Sequence, residues 1–177
     1  MPLRPSMPSR RALLRGLSLT PVAAALSGCG TTDFISDLFS SDPRASMISW
    51  RLEASPGVNP DISGRPSPIW VRLYQLRSVG VFGGADFTDL FNHDIDLLGA
   101  EMLQKYEYVV TPNQVIEPQE PPEALHEDTR YIGVIAAYHD ITRAFWRDTV
   151  EVAPLNEDYT LSVKLDRAAL RLTLEQD

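Results

Sequence analysis

The side chains that most often carry out chemistry in proteins are few and scattered in this chain. Its 177 residues include one cysteine, Cys29, and three histidines, His93, His126 and His139. No two histidines stand at the spacing His-x-x-x-His and no Cys-x-x-Cys occurs, so a zinc site has no support. No Gly-x-Ser-x-Gly motif surrounds a serine, so a hydrolase nucleophile is not indicated either. We therefore predict that the protein is not an enzyme and holds no metal.

Two further patterns have a structural explanation. Asp94 and Asp96 could form a carboxylate pair, but they stand beside a helix start, where capping and the helix dipole account for acidic residues. Gly83-Gly84 is not followed by the lysine of a phosphate-binding loop, so we predict a turn there. Neither pattern indicates a small-molecule substrate.

Cys29 is the residue whose surroundings point to chemistry. It follows a stretch with four arginines and no acidic residue, which leads into a mostly apolar run from Ala12 to Leu26. This order is typical of an export signal, and the run is too short to span a bilayer. Ser27 and Gly28 precede the cysteine, as in the bacterial lipobox, where signal peptidase cleaves before a cysteine whose thiol carries diacylglycerol. We predict that Cys29 is the lipid attachment site, carrying diacylglycerol and an N-acyl chain, and that there is no other cofactor.

The cleavage site divides the chain into three predicted parts. Residues 1–28 form the signal peptide, residues 29–45 a lipid-anchored tether and residues 46–177 a folded domain. Several acyl chains hold a protein on a membrane stably, whereas one chain does so only marginally. Bacterial lipoproteins kept in the inner membrane usually have Asp after the cysteine, so Gly30 favours the outer membrane. The pair Arg10-Arg11 leaves export by the Sec and the twin-arginine routes equally open.

The tether contains four apolar side chains at helical spacing behind a potential N-cap, Asp33. These are Phe34, Ile35, Leu38 and Phe39. A short helix on the membrane, a short helix docked on the domain and a partly disordered linker are all open alternatives.

Acidic residues dominate the predicted mature chain. The whole sequence has 16 Lys+Arg and 24 Asp+Glu, a formal net charge of −8. Residues 1–28 contribute four arginines and no acidic residue, so 12 basic and 24 acidic residues remain from Cys29 on, a net charge of −12. Nucleic acids and anionic lipid surfaces attract clustered Lys and Arg, so this balance argues against both as partners.

From Ser46 on, apolar residues recur with a period of two, which predicts strands. Asp86 and Asp94 predict the starts of two short helices between the second and third strands. The acidic, proline-rich stretch Pro118–Thr129 predicts a solvated loop. We predict a mainly β fold, a two-sheet antiparallel sandwich with a small helical insertion. The predicted strands are Ser46–Ala54, Ile69–Leu76, Met102–Val110, Gln114–Glu117, Tyr131–Tyr138, Phe145–Val152, Tyr159–Leu165 and Leu170–Leu174.

The connection between the first two strands, Pro56–Pro66, is unusually long and stiff. It has eleven residues, including three prolines and two glycines, whereas hairpin loops usually have two to five residues. Fixed φ angles at proline and free ones at glycine suit a loop that presents a preordered surface. An ordinary variable turn is the equal alternative. Val58 and Ile62 have no obvious core to join, so they are candidate contacts for a partner, and Arg65 offers donors to an acceptor.

Several groups of residues together resemble one family. NPDISGRPSP (Asn59–Pro68) followed by IWVRLYQL (Ile69–Leu76) is similar to the first loop and second strand of TssJ, the outer-membrane lipoproteins of type VI secretion systems. Tyr131–Ala136 and Trp146-Arg147 are similar to later parts of that family, and the lipobox extends the likeness over nearly the whole chain. The resemblance implies a transthyretin-like sandwich and a non-catalytic role.

The resemblance also implies partners. It implies an acylated periplasmic domain that binds the C-terminal periplasmic part of the inner-membrane protein TssM, and through it TssL. The family's contact loop falls on Pro56–Pro66. The alternative is a transthyretin-like periplasmic lipoprotein unrelated to secretion, acting as a small-ligand carrier or an envelope accessory factor. The candidate partner-binding residues are Val58, Asn59, Pro60, Asp61, Ile62, Gly64, Arg65 and Pro66.

Overall fold

A computed structural model of the protein describes residues 43–176. The predicted signal peptide, Cys29 and most of the predicted tether lie outside the described residues. The helices are α1 (Gly80–Gly84) and α2 (Phe87–Leu98), followed by a 3₁₀ turn at Gly99–Glu101. The strands are β1 (Met47–Ala54), β2 (Ile69–Leu76), β3 (Met102–Val110), β4 (Val115–Ile116), β5 (Glu123–Ala124), β6 (Tyr131–Ala136), β7 (Arg147–Glu151), β8 (Asp158–Leu165) and β9 (Leu170–Gln176).

The strands form two sheets. One has the order β4-β1-β8-β9, with β5 also paired to β1, and the other has the order β3-β2-β6-β7. The predicted mainly β, two-sheet architecture with a helical insertion is therefore confirmed. One pair departs from the antiparallel rule, because β1 and β8 run parallel from Met47↔Asp158 to Ala54↔Leu165. Alternating apolar residues specify which face is buried but carry no information on strand direction, so this pairing could not be predicted.

The core lies between the sheets and follows the predicted alternation. Ile48, Trp50 and Leu52 of β1 are buried, as are Leu161 and Val163 of β8. Residues between them on the same strands are more exposed, which confirms the predicted inward faces. Burial of such side chains stabilises the fold by about 1.5–3 kcal/mol each relative to exposure.

The helical insertion covers part of the outer face of the four-stranded sheet. Phe82 of α1 packs against Tyr74 and Leu76 of β2 in a second apolar cluster. Gly133 of β6 leaves the space for this ring, since a Cβ there would lie 2.7 Å from the Phe82 Cζ atom. Asp86 caps α2 as predicted, with its carboxylate accepting a hydrogen bond from the Asp89 amide at 3.0 Å.

The second predicted helix start, at Asp94, is confirmed. α2 consists of two helical segments joined across a kink at His93, whose φ and ψ are non-helical, so the second segment begins at Asp94, and the Asp94 side chain is buried. Its Oδ2 atom accepts hydrogen bonds from the Tyr74 hydroxyl at 3.0 Å and from Lys105 Nζ at 3.1 Å, and Arg72 lies 3.3 Å away. A buried carboxylate needs such donors, so Asp94 fastens the helix to the sheet.

The stretch Pro118–Thr129 is mostly exposed or half-buried, as predicted for a solvated loop, but it also includes β5 and two buried residues, Leu125 and Thr129. It lies along the free edge of β1, where β4 pairs with one end of the strand and β5 with the other. Between them the Gln119 side chain accepts a hydrogen bond at Oε1 from the backbone N–H of Trp50 at 3.2 Å. Its Nε2 atom donates to the backbone carbonyl of Ile48 at 3.3 Å. Leu125 enters the core. The edge of β1 is therefore covered, which prevents another strand from pairing there.

The sandwich has two ends with different loops. At the end where the described chain begins, Arg44 makes an ion pair with Asp158 at 2.8 Å, and Ala45 pairs with Leu155. These residues belong to the fold, so the domain begins slightly before the predicted boundary at Ser46. We call this the near end, and the opposite end the far end. The far end consists of loops 55–68, 111–114, 137–146 and 166–169.

Candidate partner-binding surface

The loop 56–66 leaves β1 at the far end and is held by a buried root. Val58 is 0% exposed and belongs to the core, so the expectation that it has no core to join is wrong. Asn59, also buried, donates from Nδ2 to the Pro68 carbonyl at 2.8 Å and accepts at Oδ1 from the His139 amide at 2.7 Å. Both residues fix the loop to the sandwich, and neither exposes more than 2% of its surface.

The tip of the loop is organised by Asp61. Its Oδ1 atom accepts from the amides of Ser63 at 2.8 Å and Arg65 at 3.0 Å, and its Oδ2 atom accepts from Arg65 Nε at 2.9 Å. The Arg65 amide, above all, lowers the pKa of the Asp61 carboxyl from its ordinary value. Gly64 has a φ of +78°, which favours glycine. The preordered shape expected for this loop is therefore built from its own polar groups, and Arg65 is partly used within it.

Exposed apolar side chains gather at the far end. Ile62 at the loop tip is 106% exposed, and Phe145 beside the turn 166–169 is 76% exposed. Trp70 and Val109 are cross-strand neighbours near the same end and are also exposed. Exposed apolar patches mark protein or membrane interaction sites or ligand-binding grooves. Trp70 and Phe145 were not identified from the sequence, because strand periodicity alone does not show which sheet face is left uncovered.

A cleft opens between three far-end segments. It has a volume of about 670 Å³ and is lined by residues of the loop tip, of segment 138–143 and of the turn at 167–168. Asn59, Pro60, Asp61 and Ile62 form one wall, so the cleft belongs to the same surface as the loop. We call it the far-end cleft. The sequence placed Tyr138 at the end of a buried strand, with no signal that it would line a cleft.

The three histidines that were tested as metal ligands lie apart in the structure. His93 lies on α2, His126 near the near end and His139 on the far-end cleft, so they do not come together. Within residues 43–176, no three His, Cys, Asp or Glu side chains lie close enough to hold a metal ion. Pro66 lies at the end of the loop and is exposed. None of the helices in the described part is long and apolar enough to cross a membrane.

Comparisons with known proteins agree on one family. The family model described as "T6SS-SciN: Type VI secretion lipoprotein, VasD, EvfM, TssJ, VC_A0113" matches residues 46–168. A search of the curated proteins found no match.

Among solved structures, the T6SS lipoprotein TssJ1 from Pseudomonas aeruginosa is 29% identical, with a TM-score of 0.69 over 75% of this chain and 98% of that one. Serratia marcescens Lip, a membrane-bound component of the type VI secretion system, is 27% identical, with a TM-score of 0.66 over 76% of this chain and 100% of that one. These solved chains correspond to the sandwich domain alone, so a domain of this kind folds by itself.

A chain in the structure of the T6SS protein TssM C-terminal domain (869-1107) from EAEC shares the fold. It is 20% identical, with a TM-score of 0.60 over 72% of this chain and 97% of that one. At this identity the likeness concerns the fold alone.

Proposed function

Because the chain belongs to the TssJ family of type VI secretion lipoproteins, we propose that it joins the outer membrane to the trans-envelope complex of such a system. In this proposal the lipid on Cys29 holds the protein to the periplasmic face of the outer membrane. The far end binds the periplasmic C-terminal domain of TssM, and through it TssL. The family membership argues against the alternative of an envelope lipoprotein unrelated to secretion.

The observation that carries the proposal is the placement of the two attachment points. The chain that leads from Cys29 joins the domain at the near end, beside Arg44 and Ala45. The loop 56–66, with its exposed tip, lies at the far end, one β1 length away. Eight residues of strand at about 3.3 Å each separate the two by roughly 26 Å. A domain held at the near end therefore presents the loop away from the membrane.

The chemistry of the far end fits protein binding. Ile62 offers an apolar contact on a loop whose conformation is fixed before binding, so little conformational entropy is lost on association. Pro60, Asp61, Gly64 and Pro66 act by keeping the shape of the tip.

The binding test uses the domain, residues 42–177, and the periplasmic domain of TssM. Residues 60–65 are replaced by a Gly-Ser turn, which keeps the buried root at Val58 and Asn59. We expect calorimetry to show binding by the unchanged domain and none by the variant, while both unfold at similar temperatures. A variant that folds and binds with unchanged affinity would show that the interface does not include residues 60–65 of the loop.

The anchor is tested separately by metabolic labelling of the full chain with a fatty acid. Cys29→Ser should abolish labelling and remove the protein from the outer membrane, because the acyl chains supply its attachment. Gly30→Asp should shift the labelled protein toward the inner membrane. Label on the Cys29→Ser variant would contradict the proposed anchor.

A further inference from the structure

One hydrogen-bond donor among the lining residues of the far-end cleft has no partner within the described residues. Tyr138 lines the cleft and is 5% exposed. Its hydroxyl is buried and has no hydrogen-bond partner within the described residues. Burial, together with the nearby Asp166 carboxylate, raises the pKa of Tyr138, so the group stays a protonated donor. Buried hydroxyls nearly always have a partner, so this one marks a place where an acceptor belongs.

The arginines that line the cleft make fewer hydrogen bonds and ion pairs than its carboxylates do. Arg167 has no ion pair or hydrogen bond within residues 43–176, and Arg143 is only 3.7 Å from Asp140 with most of its side chain exposed. Both carboxylates of the lining already have donors. Asp61 accepts from the loop amides and Arg65, and Asp140 accepts from the Thr142 hydroxyl at 2.9 Å.

Two donors of the cleft therefore remain without a partner within the described residues. They are the Tyr138 hydroxyl and the Arg167 guanidinium, whereas the Asp61 and Asp140 carboxylates already accept hydrogen bonds. The lining has two arginines and two carboxylates beside His139, so it is less acidic than the whole chain, where acidic residues outnumber basic ones 24 to 16. Ile62 adds an exposed apolar side chain at one wall.

We propose that the far-end cleft binds an Asp or Glu side chain of the partner protein, with an apolar neighbour of that residue packed on Ile62. Arg167 supplies the charge and Tyr138 a hydrogen bond to the carboxylate, since donors to an ionised acceptor make the stronger bonds. This inference rests on the proposed function, because it assigns the chemistry of the segment that the partner inserts. It extends the contact surface beyond the loop 56–66 to two residues on other segments.

The experiment compares two charge reversals in the domain 42–177 by calorimetry with the periplasmic TssM domain. Arg167→Glu should weaken binding about tenfold or more, because it replaces an attraction by a repulsion. Arg171→Glu is the matched control. Arg171 is exposed on β9, has no ion pair within the described residues and does not line the cleft, so its reversal should change affinity about threefold at most. Equal effects of the two reversals would overturn the assignment to the cleft.

A second variant tests the hydroxyl. Tyr138→Phe removes a donor that has no partner in the free domain, so the melting temperature should stay the same or rise, while binding weakens about three- to tenfold. A variant that melts lower and binds normally would show that the hydroxyl serves the fold, and would overturn its proposed role.

The results separate this inference from the proposed function. If the Gly-Ser replacement of residues 60–65 abolishes binding while Arg167→Glu and Tyr138→Phe bind normally, the inference fails and the proposed function stands. If the unchanged domain does not bind the TssM domain, both fail. Raising the salt concentration should weaken binding by the unchanged domain more than binding by Arg167→Glu. Salt screens the proposed ion pair of Arg167, which the variant lacks.

Discussion

The loop 56–66 contains two apolar residues that should behave in opposite ways when truncated. Val58 is completely buried and Ile62 completely exposed, although only three residues separate them. Val58→Ala removes two methyl groups from the core, which costs about 0.8 kcal/mol each plus a cavity term. We expect a loss of about 2 kcal/mol of unfolding free energy. For a domain of this size that lowers the melting temperature by about 6–10 °C.

Ile62→Ala should leave the melting temperature almost unchanged, because exposed substitutions usually alter stability by less than about 0.5 kcal/mol. Its effect should appear in binding. A central apolar contact contributes about 1–2 kcal/mol or more, so affinity for the TssM domain should fall about five- to thirtyfold. Val58→Ala should bind nearly normally at temperatures where it remains folded.

Both variants are measured by thermal circular dichroism and by calorimetry on the same preparations. The reasoning requires the two effects to cross over, with stability lost in one variant and affinity in the other. Equal melting temperatures for Val58→Ala and the unchanged domain would show that the root of the loop is not in the core. Unchanged affinity of the Ile62→Ala variant would show that the loop tip does not contribute to the interface.

Three further predictions concern the sandwich and the loop. Gly133→Ala should destabilise the domain by about 1–3 kcal/mol in urea unfolding, because the added Cβ would lie 2.7 Å from Phe82; an unchanged midpoint would show that the ring gives way freely. Leu161→Asp should unfold the domain, whereas Ser162→Asp on the other face of β8 should melt near the normal temperature; similar melts would contradict the assigned faces. The folded state lowers the pKa of Asp61 below its ordinary 3.8, so the contribution of this carboxylate is fully present above that value and is lost as pH falls through the lowered pKa. The NMR signal of the Asp61 side-chain carboxyl carbon should therefore titrate with a midpoint below 3.8, and a midpoint at or above that value would contradict the lowered pKa.

Sequence periodicity predicted most of the sandwich because the buried faces of its strands are long and regular. The alternation in β1 and β8 identifies Ile48, Leu52, Leu161 and Val163 as inward, and the structure buries all four. Such patterns report burial on a sheet face, which is a local property of the chain. The Asp86 cap could also be predicted from the sequence, since its hydrogen bond joins residues only three positions apart.

Features that depend on distant residues could not be predicted in this way. Gln119 looked like part of a polar loop, but it bonds to the backbone of a strand some 70 residues earlier in the chain. Val58 lies between Gly57 and Asn59, where no period exists to indicate that it turns inward. The composition of a segment indicates whether it can be exposed to solvent. It does not show which other segment lies next to it in the fold.

For the candidate site, the sequence located the loop but not the cleft. The prolines and glycines of Pro56–Pro66 indicated a shaped surface, and the structure gives that loop an ordered tip built on Asp61. Tyr138 and Arg167 are almost 30 residues apart and join the loop only through the sheet topology. Their shared position follows from β6 and β8 ending at the same end of the sandwich.

The direct path from the near end to the loop along β1 has a mechanical consequence. If, as in the proposed function, the partner protein pulls on the loop while the lipid holds Cys29, the tension enters β1 at Met47 and leaves it at Ala54. The load then runs through the covalent backbone of one strand that is already extended, so it cannot lengthen much. The hydrogen bonds to β8 lie beside this path and carry little of the force that enters through the loop 56–66. A domain pulled from two different strands would instead depend on those bonds to resist shear, so this arrangement lets a small sandwich stay folded under strain.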